Sequence, residues 1–250
     1  MESRIQETKP QPQVHIAPGF VWDAQDAYLF DIDGTLLRSR DRIHVNSFVQ
    51  SVQRVTGFEV SLEGIALHGN TDTGILREAC AQAGIPADVL ASQTEAILTA
   101  MCDSVTAQRH AMDLIRMPGV EDALRHLAAR GKLLGVATGN LEVIGWLKVE
   151  HAGLREWFRF GGFSDNFPVR SELIAHAAAK ARDLAPEARV CVVGDTPRDI
   201  EAAHANSLSV IAVATGRCSY DELIAHNPEV CATSLADLLA HTARRSESVA

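Results

Sequence analysis

The chain has 250 residues, enough to bury a full core either as one large domain or as a core with an insertion. Its 23 Lys and Arg stand against 32 Asp and Glu, a net charge of −9, which argues against a nucleic-acid partner because phosphate backbones demand a basic surface. Five scattered cysteines without a C-x-x-C pair, Cys80, Cys102, Cys191, Cys218 and Cys231, read as reduced thiols of a cytoplasmic protein. No apolar run approaches the roughly 18 residues of a membrane span, so no membrane partner is expected.

Residues 1–22 mix charge, Gln and Pro, lack the apolar stretch of a secretory signal, and read as a flexible tail. Ala27 to Phe30 is a short apolar run leading into Asp31, as a buried parallel strand would. About 80 residues then pass before strand and helix alternate again, far beyond the ~2–6 of a usual connection. This insert carries three helical stripes: Val45, Phe48, Val49 and Val52; Ile75, Leu76, Ala79, Cys80 and Ala83; and Leu90, Ile97, Leu98, Met101 and Val105. Three or four short helices would pack there as a small bundle. Beyond it, Pro118 opens a helix whose Val120, Ala123, Leu124 and Leu127 share a face, with Gly131 as the stop.

Strands are expected at Leu133 to Ala137, Val190 to Val193 and Leu208 to Val213, and weaker ones near Phe158 to Phe163 and Glu229 to Ala232. Helices are expected at Leu141 to His151, Glu172 to Asp183, Pro197 to Ala205 and Tyr220 to Ala225, and the polar end from His241 should fray. The order implies right-handed crossovers and an α/β fold, a doubly wound, Rossmann-like parallel sheet with an inserted α-helical segment. Trp146 and Trp157 read as packing residues.

Four polar clusters end successive strands, and in a parallel sheet all four can converge. In Asp31-Ile32-Asp33-Gly34-Thr35, extended alternation puts both carboxylates on one side, and Gly34 lets the chain turn at once. Thr138-Gly139-Asn140 offers a hydroxyl and backbone N–H groups at a helix start, suited to phosphate. Arg170 is expected in the loop after the third strand, ahead of a helix that Ser171 would cap. The fourth cluster runs from Gly194 through Asp195, Thr196, Pro197 and Arg198 to Asp199, where Thr196 and Asp199 also read as a capping box. Asp31, Asp33, Asp195 and Asp199 would repel one another unless a cation sat among them, and an all-oxygen ligand set favours Mg2+. Beside Arg170 and Thr138 the arrangement suits in-line phosphoryl transfer.

These motifs, apolar-apolar-D-x-D-G-T, then Thr, a basic residue and G-D-x-x-x-D, resemble those of the haloacid dehalogenase-like superfamily. The resemblance spans about Ala27 to Ala240. It implies a catalytic core of residues 23–35 and 118–242 and a helical cap of residues 36–117. Gly69-Asn70-Thr71-Asp72 is similar to the G-x-T-D element of phosphoglycolate phosphatase-like members. The resemblance further implies Asp31 as the nucleophile forming an aspartyl phosphate and Asp33 as acid and base. Mg2+ would be held by the Asp31 carboxylate, the Asp33 main-chain carbonyl and Asp195, with Asp199 in support and Thr138 on the phosphoryl group. Arg170 stands where the family usually has Lys, and Lys180 lies too far along the next helix; Arg keeps the charge and adds bidentate geometry.

The expected activity is a Mg2+-dependent phosphatase of a small phosphorylated metabolite, with substrate contacts in the cap from His68, Asn70, Thr71, Arg42 and His44. A phosphoglucomutase-like sugar-phosphate mutase is the nearest alternative, since only the phosphoryl acceptor differs. A 2-haloacid dehalogenase lacks the second Asp in the family pattern, so Asp33 speaks against it. A phosphonate hydrolase needs a cap lysine, and none lies between Leu36 and Val120. P-loop, dinucleotide and hydrolase-elbow motifs are absent from the sequence.

Overall fold

Ala27, Tyr28, Leu29 and Phe30 are each at most 1% exposed, because the strand they form lies mid-sheet with both faces covered. The structure, a computed structural model, describes residues 12–247. Among these, the strands are β1 (Val14–Ile16), β2 (Ala27–Phe30), β3 (Leu37–Ser39), β4 (Leu114–Arg116), β5 (Leu133–Ala137), β6 (Phe160–Gly162), β7 (Val190–Gly194), β8 (Ser209–Val213) and β9 (Val230–Ala232). The helices are α1 (Ile43–Thr56), α2 (Asp72–Gln82), α3 (Ala87–Ala107), α4 (Val120–Ala129), α5 (Glu142–His151), α6 (Arg170–Leu184), α7 (Pro197–Ala205), α8 (Tyr220–Ile224) and α9 (Leu235–Glu247).

The main sheet runs β1-β9-β8-β7-β2-β5-β6, parallel except for the β1 edge. From β2 the chain builds outward through β5 and β6 on one side and later through β7, β8 and β9 on the other. The carboxyl end of β2 is therefore a topological switch point, where open α/β sheets bind ligands. Side chains alternate between two hydrophobic layers: Tyr28, Phe30 and Ile32 join one, Ala27 and Leu29 the other. That alternation places Asp31 and Asp33 together, opposite Ile32. The α4 face expected from the sequence is buried as read, although Gly119 rather than Pro118 is the N-cap residue.

The insert is helical, with α1, α2 and α3 packed around Phe48, Val52, Leu76, Ile97 and Met101. Its α3 is a 21-residue helix rather than a short one. The same cluster takes in Leu141 and Ile144, which lie before and within α5, so the insert is seated on the core by shared apolar packing. It enters and leaves through β3 and β4, an antiparallel pair that sequence reading missed because neither three-residue strand has an apolar run.

Both chain ends differ from expectation. Val14–Ile16 pairs with β9, and Trp22 is 3% exposed, stacked on His126 at 5.1 Å with its Nε1–H donating to Thr242 Oγ1 at 2.8 Å. Residues 13–22 are therefore held in the fold rather than part of a flexible tail, and the expectation for residues 1–11 lies outside the described residues. From residue 241 to 247 the chain continues α9 instead of fraying, because Leu235 and Leu238 anchor that helix in the core, and the expectation for residues 248–250 lies outside the described residues. Trp22→Phe keeps the stack but removes the bond to Thr242. It should cost about 1 kcal/mol of stability, read as a lower denaturant midpoint at unchanged slope.

Candidate active site

The first site loop is a tight turn closing directly on β2. Leu36 and Leu37 donate backbone N–H groups to Ile32 O, both at 3.0 Å, and Gly34 N donates to Leu37 O at 2.8 Å. Gly34 has φ +99°, and a Cβ there would lie 2.3 Å from Asp195 Oδ2, so only glycine lets the loop pass the neighbouring strand's carboxylate. Asp31 and Asp195 follow β2 and β7, adjacent strands, and Asp199 lies one turn into α7. One oxygen from each of these three buried carboxylates falls within 4.8 Å of the others.

Arg170 is the cation nearest this cluster. Its Nη2 donates to Asp31 Oδ1 at 3.0 Å and to Asp199 Oδ1 at 2.5 Å, and its Nε to Asp199 Oδ1 at 3.0 Å. It is the first residue of α6, with Val169 at the N-cap position, so it sits in the helix rather than in a preceding loop and Ser171 caps nothing. Asp199 Oδ2 accepts from Thr196 N at 3.0 Å and from Thr196 Oγ1 at 2.7 Å. The capping reading of Asp199 is thus realised, and both its oxygens are occupied. By contrast Asp31 Oδ2 and Asp195 Oδ2 accept from no donor among the described residues.

Burial pushes the Asp31 carboxyl up to about 7, with Arg170 pulling against it and Asp199 and Asp33 adding to it. Burial, then Asp31 and Asp199, push Asp195 up to about 9. Two buried carboxylates with unclaimed oxygens, both resisting ionisation, form a donor set that fits a hard divalent cation. Arg170, pulled down by burial but raised further by Asp199 and Asp31, stays charged.

Asp33 faces a different neighbourhood. Its Oδ2 accepts from Lys148 Nζ at 2.6 Å and from Asn140 Nδ2 at 2.8 Å. Burial acts to raise its carboxyl, but Lys148, His44 and Asn140 outweigh this and hold it below the usual carboxylate range. Lys148 is absent from the sequence expectations. A signal existed: it shares the buried face of α5 with Ile144, Gly145 and Val149, an odd place for a lysine unless it has a partner.

Thr138 and Gly139 line the cavity beside Asp31. Asn140 also lines it, yet its side chain is engaged with Thr138, Asp33 and Lys148, so it orders neighbours rather than offering a free donor. Among the residues expected in the cap, Arg42, His44, His68 and Asn70 line the cavity, but Thr71 does not. Thr71 is fully buried; its hydroxyl caps α2 by accepting from Gly74 N at 3.0 Å and donates to Pro168 O at 2.8 Å. The insert touches the core closely here. A Cβ on Gly139 would lie 2.0 Å from Asn70 O, and Asp72 N donates to Gly139 O at 2.7 Å.

The cavity, about 580 Å3, has an acidic floor and a basic mouth. Arg38, Arg42 and Arg217 line it, are exposed, and form no ion pair among the described residues. No sequence motif marks Arg38 or Arg217, because the mouth is assembled from β3 and the loop after β8. Burial, then Arg217, lower the His68 imidazole, keeping it neutral beside these cations. No described helix is long and apolar enough to cross a membrane.

Residues 28–213 match the family model described as haloacid dehalogenase-like hydrolase. A phosphoglycolate phosphatase of Synechococcus elongatus is 32% identical over 122 residues, 49% of this chain and 57% of that protein. The tyrosine-protein kinase PtkA of Mycobacterium tuberculosis is 29% identical over 193 residues, 75% of this chain and 62% of that one. The chain thus spans about six-tenths of the length of each of these curated relatives. Among solved structures, a predicted phosphoglycolate phosphatase from Haemophilus somnus superposes with a TM-score of 0.60 at 21% identity, covering 87% of this chain and 98% of that one.

Proposed function

Because this chain belongs to the haloacid dehalogenase-like hydrolase family, we propose that it is a divalent-metal-dependent phosphatase acting on small phosphorylated metabolites. The observation that carries the reading is the asymmetry of Asp31. Arg170 holds one oxygen while the other is free at the floor of the cavity, a nucleophile with a set direction of attack.

Asp31 takes the phosphoryl group, and Asp33, entering the cycle in its protonated form, gives its proton to the departing alcohol oxygen. Asp33 then accepts a proton from the water that cleaves the aspartyl phosphate. Thr138, Gly139 N–H and Arg170 carry the charge on the phosphoryl oxygens, and Asp199 keeps Arg170 aimed. Mg2+ would be held by Asp31, Asp195 and the Asp33 main-chain carbonyl, where it supplies charge neutralisation for the carboxylates and the transferring group. The helical insert, residues 36–117, acts as the cap that excludes bulk water from the core of residues 23–35 and 118–242.

The unpaired arginines at the mouth favour substrates whose far end is also anionic. Arg42→Ala or Arg217→Ala should raise KM about tenfold while leaving kcat within a few-fold, since each removes a contact made equally in ground and transition states. The deciding experiment is a phosphomonoester panel with Mg2+. Free phosphate from at least one member supports the reading, and none from any overturns it. An isomerised sugar phosphate without free phosphate would identify a mutase, and halide release without metal a dehalogenase.

A further inference from the structure

Lys148 is 3% exposed, and its ammonium has three N–H groups and three acceptors. These are Asp33 Oδ2 at 2.6 Å, Asn140 Oδ1 at 2.7 Å and His44 Nδ1 at 3.1 Å. No N–H remains for a substrate. Lysine only donates, so His44 Nδ1 accepts and its proton resides on Nε2, which donates to Asp72 Oδ2 at 3.0 Å. The same Asp72 oxygen accepts from Leu141 N at 2.8 Å, and Leu141 follows Asn140 in the chain. The bonds close a ring that runs through Lys148, His44, Asp72, Leu141 and Asn140.

That ring crosses between two parts of the molecule. His44 is on α1 and Asp72 on α2, both in the insert; Lys148 is on α5 and Asn140 and Leu141 just precede it, all in the core. Asp33 hangs from it through Lys148 and Asn140. If the insert leaves its seat, Lys148 loses one of its three acceptors and becomes a buried cation with an idle donor, free to swing. Asp33 then keeps Asn140 but loses the fixed position of its second donor.

We propose that Lys148 is a positioning residue that couples seating of the helical insert, through His44 and Asp72, to the orientation of Asp33. The catalytic half of this statement rests on Asp33 being the acid and base; the coupling half rests on the hydrogen bonds alone. Coupling is reciprocal, so a change at the core end must be felt in the insert.

The test has two arms, both on the full chain. The first reads amide hydrogen exchange of Asp72 and Leu141 in wild type, Lys148→Met and Asp33→Asn. Faster exchange at Asp72 by ~10-fold or more in both variants is expected, with the amides of β7 unchanged. Exchange at Asp72 that matches wild type would overturn the coupling, whether or not the protein is a phosphatase. The second arm compares Lys148→Met, His44→Gln and their combination on the best phosphomonoester of the panel. Each single change should lower kcat, by roughly 10- to 100-fold, with KM moved less than threefold. The pair should lose no more than Lys148→Met alone, because both cut one chain. Losses that multiply, or that fall on KM only, would overturn the positioning role. His44→Gln keeps the arm decisive if Lys148→Met folds poorly. A wild type that releases no phosphate sinks the phosphatase reading and the positioning role with it, and leaves the coupling to be judged by exchange.

Discussion

Asp31→Asn is expected to lower phosphate release on the order of 10^4-fold or more, because the amide cannot form the aspartyl phosphate. The fold should survive. Asn keeps an acceptor for Arg170 Nη2, and Asp199 still holds that guanidinium. Stability of the metal-free protein at pH 8 should even rise, since burial penalises ionised Asp31 and the neighbouring Asp199 and Asp33 add to the penalty. A phosphate-release assay and calorimetry on one preparation check both parts. Activity within tenfold of wild type would refute Asp31 as the nucleophile, and a large fall in melting temperature would refute the repulsive cluster.

The second expectation concerns the metal and its pH dependence. Asp31 and Asp195 have folded values of about 7 and about 9, against an ordinary value of 3.8. Between these limits the folded state holds more protons than the unfolded one, so stability of the metal-free protein falls as pH rises through that range. A divalent cation removes the repulsion but must displace those protons, which weakens apparent binding by up to tenfold per pH unit for each proton released. The rise in melting temperature on adding Mg2+ should therefore be small at pH 5.5 and largest at pH 8 to 9. A chelator should abolish both this shift and the phosphatase activity. A shift that is equal at both pH values would mean that the ion binds elsewhere.

The parts of the site legible in sequence are those whose signal is local. Asp31 and Asp33 follow an apolar strand at spacing two, and Thr138 and Asp195 each end another apolar run, so sheet topology alone brings them together. Lys148 escaped because a lysine in the middle of a helix is ordinarily solvent-facing, and only its place among Ile144, Gly145 and Val149 marks it as buried. Thr71 reads as a substrate contact only through its place in Gly69-Asn70-Thr71-Asp72; a Thr-Asp pair at a helix start equally carries the chemistry of a cap, which is how it is used. Strands β1, β3 and β4 are three residues each; partners distant in the chain, not periodicity, make them strands. The mouth arginines belong to no motif, so only the fold could assemble them.

The β3 and β4 pair has a consequence for how such a protein can change. Ser39 faces Leu114 across the ribbon, so the segment between them begins and ends at neighbouring points and the sheet does not depend on its length. Replacing it with another segment leaves loop closure nearly unaltered, since that entropy grows only as the logarithm of length. Leu141, Ile144 and Leu147 would need a new apolar cover, and Lys148 a new acceptor in place of His44. Once those contacts are rebuilt, the residues anchored to β2, β5 and β7 can stay in place while the inserted segment is exchanged as a unit, and the same two junctions are where a graft or a shortened turn should be made.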